Sequence, residues 1–276
     1  MSYVVYTDLD GSLLDHNDYS YQAALPALTR LSECSIPVVP VTSKTRAEIE
    51  PLCRELNLNA PFIVENGAAV FIPKVFSALE NHTELQLVED YQVKSFAPDI
   101  EYWNKLVDEL SVLLPGAFIA MNKMTPEQLA DITALSLSAA KLALKREYSN
   151  PLHWQGSEDE FFRLHEFCKK QGVQVVKGGS FVHLLQGSDK GAALEWLNNY
   201  LSDFLEISDL ESIALGDGEN DIAMLVKADI AVQIKSPAHD FPELEKTALY
   251  RTEQYGPAGW AEAITKILNS SPKESN

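Results

Sequence analysis

The sequence predicts an α/β protein, a doubly wound parallel-sheet core of Rossmann-like type with an inserted α+β domain. Three observations carry that expectation. Tyr3-Val4-Val5-Tyr6 is an apolar run without alternation, as a strand buried on both faces requires. Strand and helix patterns then alternate singly to about residue 72, and again from residue 188 onward. From about 79 to 187 that alternation breaks, and the elements come in runs. The expected organisation is a core of residues 1–78 and 188–276 around an insertion of residues 79–187.

The first strand delivers Thr7, then Asp8 and Asp10, off its C-terminal end. In an open α/β sheet that end faces the ligand crevice. Gly11 follows where the chain must turn sharply. An Asp-x-Asp-Gly stretch alone is most often an acidic surface turn, so its meaning depends on partners elsewhere. Over Gln22 to Cys34, Ala24, Leu25, Leu28 and Leu31 recur at helical spacing, and Pro26 fits a first turn. Ile36 to Val41 is a second strand ending in Thr42-Ser43-Lys44-Thr45. Thr45 and Glu48 form a capping box for a helix running to about Leu56. Pro61 to Val64 is a third strand, turned back through Glu65-Asn66-Gly67 into Ala69 to Ile72.

Within the insertion, Asp99 to Leu114 has helical patterning, and Thr125-Pro126-Glu127-Gln128 is a capping box with Pro at the first helical position. Leu137 to Leu144 is a short helix leading into the patch Lys145-Arg146-Glu147-Tyr148. Glu158 to Gln171 is a helix, and Val173 to Val176 pairs with Phe181 to Leu185 around Gly178-Gly179. The core resumes at Ser188-Asp189-Lys190-Gly191, which opens a helix to about Leu201. Ser212 to Leu215 is a buried strand ending in Gly216-Asp217-Gly218-Glu219-Asn220-Asp221. A helix through Leu225, a strand from Ile230 to Ile234, a helix from Gly259 to Leu268 and a polar tail from Ser270 complete the chain.

Composition excludes several classes. With 40 acidic against 22 basic residues the net charge is -18, so no basic surplus exists to neutralise a nucleic-acid backbone. A small phosphorylated substrate is still admissible, because a metal ion or lysine inverts the potential locally. No apolar run approaches the length of a membrane span, and no signal segment is expected. Cys34, Cys53 and Cys168 are an odd, widely spaced set, which fits reduced thiols of a cytoplasmic protein. The sequon at 81–83 then has no expected use. The six histidines show no metal-ligand spacing.

Asp8 and Asp10 follow one strand, Thr42 and Ser43 a second, and Asp217 and Asp221 another, with Lys190 opening a helix. If those strands are parallel neighbours, these groups converge at one sheet edge. Carboxylates held that close repel and raise one another's pKa. A hard divalent cation such as Mg²⁺ relieves the repulsion and bridges carboxylate and phosphate. The Thr42 or Ser43 hydroxyl and the Lys190 ammonium suit phosphoryl oxygens. An acidic nucleophile, an acid/base, a metal seat and a cation are what phosphoryl transfer to a carboxylate needs. Singly, each group has a plainer use. Gly216-x-Gly218 is half a dinucleotide fingerprint, Asn220 and Asp221 are ordinary helix-start residues, and a lone lysine is usually solvated. Three readings stay open here: a sugar-phosphate phosphatase, a phosphomutase or phosphotransferase, and a phospho-accepting signalling module.

Asp8-Leu9-Asp10-Gly11, Thr42-Ser43, Lys190 and Gly216 to Asp221 together resemble the four motifs of the haloacid dehalogenase-like phosphatases, over the whole chain. The resemblance implies Asp8 as nucleophile and Asp10 as general acid/base, with Thr42 and Lys190 binding the phosphoryl group. It implies Mg²⁺ held by Asp8, the Asp10 main-chain carbonyl and Asp217, with Asp221 in support. It also implies that the insertion is an α/β cap. A narrower resemblance, to mannosyl-3-phosphoglycerate phosphatases, rests on Thr42 to Glu48, Glu65-Asn66-Gly67, Lys145 to Tyr148 and Gly256-Pro257-Ala258-Gly259-Trp260. It implies a phosphorylated sugar or glycosyl-3-phosphoglycerate substrate. The contacts would come from Ser43, Lys44, Asn66, Gly67 and Asn220, and from Arg146, Gly179 and Ser180 in the insertion. Ser180 stands where that group commonly carries Arg, which removes a guanidinium suited to a carboxylate.

Overall fold

The computed structural model describes residues 2–77, 84–178 and 180–270. Gly179, the sequon at 81–83, the expected start of the insertion at 79 and the tail beyond Ser270 lie outside the described residues.

The first part of the chain forms β1 (Ser2–Thr7), α1 (Leu25–Glu33), β2 (Val38–Pro40), α2 (Arg46–Glu55), β3 (Phe62–Val64), β4 (Ala69–Pro73), β5 (Gln86–Val88) and β6 (Tyr91–Ser95). The middle forms α3 (Ile100–Leu113), β7 (Phe118–Ala120), α4 (Pro126–Thr133), α5 (Leu137–Ala143), β8 (Leu152–Trp154), α6 (Glu158–Lys170), β9 (Gln174–Gly178) and β10 (Phe181–Leu185). The last part forms α7 (Lys190–Leu205), β11 (Leu210–Gly216), α8 (Ile222–Lys227), β12 (Ile230–Lys235), β13 (Leu249–Tyr255) and α9 (Gly256–Ser270).

Among the described residues the chain divides into two units. The first comprises 1–43, 54–94 and 189–276, and the second comprises 44–53 and 95–188. The first unit is built on a sheet of order β13-β12-β11-β1-β2, parallel throughout. Val4, Val5 and Tyr6 are fully buried, as the unbroken apolar run demands. Helices α1 and α9 pack together, as do α7 and α8, so the sheet is wound on both faces. A second sheet, β3-β4-β6-β5, joins its edge through a parallel bridge between Val41 and Ile63.

That second sheet moves a boundary. Residues 84–94, expected in the insertion, extend the β3–β4 hairpin and close an aromatic cluster of Phe62, Phe71 and Tyr91. Residues 44–53, expected in the core, belong to the second unit. The reason is bonding: the Thr45 hydroxyl donates to the Leu142 carbonyl at 3.1 Å, and Arg46 pairs with Glu147 through Nε and Nη2. The predicted box at the head of α2 is present, with Glu48 accepting from the Thr45 amide at 2.8 Å.

The second unit is an antiparallel sheet, β7-β8-β10-β9. One face buries Leu152, Val182 and Leu184 against Trp103, Leu106 and Leu110 of α3 and Leu164 and Cys168 of α6. Phe181 turns the other way and packs with Leu129, Ala140 and Ala143 of α4 and α5. The Thr125 and Ser157 capping boxes start α4 and α6, each such cap contributing about 1 kcal/mol.

Candidate active site

The parallel register brings the predicted strand ends together. The Asp8 amide donates to the Leu215 carbonyl at 2.8 Å, and the Val41 amide donates to the Thr7 carbonyl at 2.7 Å. The loops after β2, β1 and β11 therefore leave the sheet side by side. Lys190 is the first residue of α7, capped by Asp189, whose carboxylate accepts from the Ala192 amide. Its Nζ lies 2.6 Å from Asp8 Oδ1 and 2.6 Å from Asp221 Oδ1. Lys190 is 1% exposed and Asp221 0%, so this ion pair is fully interior.

Two glycines make the approach sterically possible. Gly11 has φ +80, and a Cβ there would stand 2.5 Å from Asp217 Oδ2. Gly67 has φ +89, and a Cβ there would stand 2.2 Å from the Asp189 carbonyl. The Glu65-Asn66-Gly67 turn is thus pressed against the start of α7, where only glycine fits.

The electrostatics follow from burial. The second oxygen of Asp221 accepts from the Asp217 and Gly218 amides at 3.1 and 3.0 Å, which fixes the loop after β11. Burial pushes the Asp8 carboxyl well above the ordinary range, Asp221 adds to this, and Lys190 opposes it. Burial lowers Lys190, but Asp221 and Asp8 outweigh it and hold the ammonium charged. Burial and then Asp221 raise Asp217 to about 6. Asp8, Asp217 and Asp221 each offer a carboxylate oxygen within 4.8 Å of the others. Three acids against one ammonium leave a surplus of two negative charges, and every donor is a hard oxygen. Such a set fits a divalent cation.

The remaining predicted residues fall in three places. Asp10 is half-buried two residues beyond Asp8, and its charge adds to the raising of Asp8. Thr42 is buried; its amide donates to the Ile63 carbonyl at 3.0 Å and its carbonyl accepts from the Asn66 amide at 2.9 Å. Thr42, Asn66 and Gly67 therefore form one frame, with half-buried Ser43 beside it. Asn66 Oδ1 is buried without a hydrogen-bond partner among the described residues. Asn220 is exposed on the loop that Asp221 anchors. Lys44, Arg146 and Ser180 belong to the second unit. Arg146 is half-buried, and its Nε donates to Ser149 Oγ at 2.7 Å. Ser180 is exposed, and its carbonyl lies 3.2 Å from His153 Nδ1.

Sequence reasoning missed Ser236 and His239. The Ser236 hydroxyl donates to Asp217, and His239 Nε2 lies 3.6 Å from Asp217 Oδ2. Both follow β12, so the strand-end rule applied to the other loops would have found them. It also missed His183 on β10, a half-buried imidazole that burial, and then Arg146, push down to about 4.

A parallel sheet with carboxylates and a lysine at its C-terminal edge defines the class. The chain belongs to the haloacid dehalogenase-like hydrolase family, whose model matches residues 5–253. Among curated proteins it is similar to a glucosyl-3-phosphoglycerate/mannosyl-3-phosphoglycerate phosphatase of Persephonella marina, 34% identical over 275 residues, covering 96% of this chain and 97% of the relative. A protein of the same description from Methanococcoides burtonii is also 34% identical, over 273 residues, covering 98% and 99%. Among solved structures, the sucrose-phosphatase of Synechocystis sp. PCC6803 superposes with a TM-score of 0.62 at 18% identity, covering 97% of this chain and 98% of that one. A Thermoplasma acidophilum protein superposes with a TM-score of 0.67 at 17% identity, covering 97% and 99%. These two likenesses establish the fold, a Rossmann-like core with a cap.

Proposed function

We propose that the chain is a phosphatase that hydrolyses the phosphate ester of a glucosyl- or mannosyl-3-phosphoglycerate, releasing the glycosylglycerate and inorganic phosphate. The observation that carries the chemistry is the Lys190 ammonium shared by Asp8 and Asp221 beside Asp217. The family supports a phosphoric monoester hydrolase, and the names of the two relatives support the substrate.

In this reading an Asp8 oxygen attacks phosphorus as the bond to the ester oxygen breaks, and Asp10 gives its proton to the departing oxygen. Water then attacks the phosphorus of the aspartyl phosphate, Asp10 takes the water's proton, and Asp8 is freed as a carboxylate. An ammonium has three donors. Two of those on Lys190 point at Asp8 and Asp221, and the third is assigned to a phosphoryl oxygen. The Thr42 hydroxyl is assigned to another. Asp8, Asp217 and the Asp10 carbonyl would hold Mg²⁺, with Asp221 in support. The ion would supply charge stabilisation to the phosphoryl oxygens. Asn66 Oδ1 is suited to accept from a substrate hydroxyl, since a buried acceptor without a donor is costly. Arg146 is assigned to the glycerate carboxylate, which a guanidinium clamps with two parallel hydrogen bonds.

Phosphate release across a panel of sugar and glyceryl phosphates with Mg²⁺ tests this. The two glycosyl-3-phosphoglycerates should exceed hexose 6-phosphates and 3-phosphoglycerate in kcat/KM by at least about tenfold, or 1.4 kcal/mol. A simple sugar phosphate turned over as well would overturn the substrate assignment, and no release from any ester would overturn the reaction.

A further inference from the structure

The Gly256 to Trp260 segment has no part in the chemistry above, yet it reaches the base of Asp8. Trp260 is fully buried, and its indole Nε1 donates to Thr7 Oγ1 at 2.9 Å. Thr7 is also fully buried, and its hydroxyl donates to the main-chain carbonyl of Asp8 at 2.7 Å. The direction of this chain is forced. An indole N–H can only donate, so the hydroxyl it meets must accept and spend its single proton elsewhere. The Asp8 carbonyl is where that proton goes; besides it, that carbonyl has the Leu13 amide, only at 3.4 Å.

The other side of Asp8 is held by β11, through the hydrogen bond its amide donates to the Leu215 carbonyl. Both peptide groups flanking this side chain are therefore clamped just where the chain leaves the sheet. Helix α9 can deliver the indole because Gly259 lets it press onto β13. A Cβ at Gly259 would stand 2.3 Å from the Gln254 carbonyl and 2.7 Å from Thr252 Oγ1. Glycine and tryptophan at 259 and 260 thus act as one unit, the first granting the approach that the second uses.

We infer that Trp260 and Thr7 are positioning residues, a buried hydrogen-bond chain that sets the orientation of Asp8 for attack on phosphorus. The inference rests on the reading of Asp8 as nucleophile. Preorganising the attacking atom lowers the barrier of the bound complex and leaves ground-state binding alone. It therefore predicts a loss in kcat with KM preserved.

The test uses the whole chain with Mg²⁺ and para-nitrophenyl phosphate. Thr7→Val keeps the shape and removes the hydroxyl, Thr7→Ser keeps the hydroxyl and removes the methyl, and Trp260→Phe removes the N–H. Thr7→Val should lose at least tenfold in kcat with KM within twofold, and Thr7→Ser should stay within threefold of the parent. Trp260→Phe should fall in the same direction. Combined with Thr7→Val it should add little, because links of one chain are not additive. The inference is overturned if Thr7→Val keeps kcat within twofold, if Thr7→Ser loses as much as Thr7→Val, or if the two single losses multiply. Should Trp260→Phe fail to fold, the Thr7 pair decides alone. Asp8→Asn separates the two claims. Full turnover in that variant sinks the nucleophile reading, whereas an inactive Asp8→Asn beside a fully active Thr7→Val sinks only the positioning chain.

Discussion

Lys190 Nζ stands 2.6 Å from Asp8 Oδ1 and equally far from Asp221 Oδ1, so one interior ammonium serves two interior carboxylates. Asp8 sits at the end of β1 and Asp221 in the loop after β11, so this lysine ties two strand ends and a helix start into one unit. Removing it would leave two like charges buried together. Breaking a buried pair costs about 3–5 kcal/mol, because the surviving charge stays desolvated.

Lys190→Met should accordingly lower the stability of the metal-free protein by about 3 kcal/mol in a urea titration. Adding Mg²⁺ should recover part of that loss. An unchanged midpoint without metal would mean the pair carries no structural load.

Asp217→Asn should act differently. It removes a carboxylate that burial already holds up at about 6, and it relieves the surplus negative charge. The metal-free variant should be no less stable than the parent, yet the Mg²⁺ concentration for half-maximal activity should rise at least about tenfold, a 1.4 kcal/mol loss. Calorimetric titration with Mg²⁺ measures the same shift without turnover. Equal Mg²⁺ requirements in variant and parent would remove Asp217 from the metal's ligands.

Much of the core was legible in the sequence, for a physical reason. Strand β1 is buried on both faces and reads as an unbroken apolar run, and Ile213-Ala214-Leu215 of β11 and Ile230-Ala231-Val232 of β12 carry shorter apolar stretches beside it. The acids at the ends of β1 and β11 then had only one edge of the sheet to occupy. Strands β7 and β8, of three residues each, went unread. Strand β13 went unread because it is a sheet edge, with Arg251, Glu253, Gln254 and Tyr255 exposed. Leu87 of β5 is 73% exposed, so that hairpin carried no burial pattern either. The link of Trp260 to Thr7 spans 253 positions and leaves no local trace. The tie of Arg46 to Glu147, within the second unit, spans 101 positions and leaves none either.

Arg146→Ala should raise KM for mannosyl-3-phosphoglycerate while leaving turnover of para-nitrophenyl phosphate nearly unchanged. The aryl ester has no carboxylate for the guanidinium to clamp. Its bond to Ser149 makes a small stability loss expected as well, since a side chain held in place also packs. Equal losses on both esters would assign Arg146 to the fold of its unit, and unchanged kinetics on both would leave it without a role in recognition.

His183 should make the protein acid-sensitive in a defined window. Its folded pKa of about 4, set first by burial and then by Arg146, lies below the unfolded value of about 6.5. Between those values the unfolded chain holds a proton that the folded one does not, so stability falls as pH drops from 6.5 to 4. The loss should reach about 2–3 kcal/mol at the lower end. His183→Gln should flatten that slope in denaturation curves taken across the window. A parent and variant with identical slopes would contradict the assignment.

The nucleophile is tested most directly by phosphate release from mannosyl-3-phosphoglycerate with saturating Mg²⁺, comparing the parent chain with Asp8→Asn. An amide cannot form the acyl phosphate, so the variant should lose at least about a thousandfold in kcat, roughly 4 kcal/mol of barrier. Its circular dichroism and melting temperature should stay close to the parent's. A correctly folded Asp8→Asn that keeps more than about a tenth of the parent kcat, 1.4 kcal/mol or less of barrier, would contradict the account.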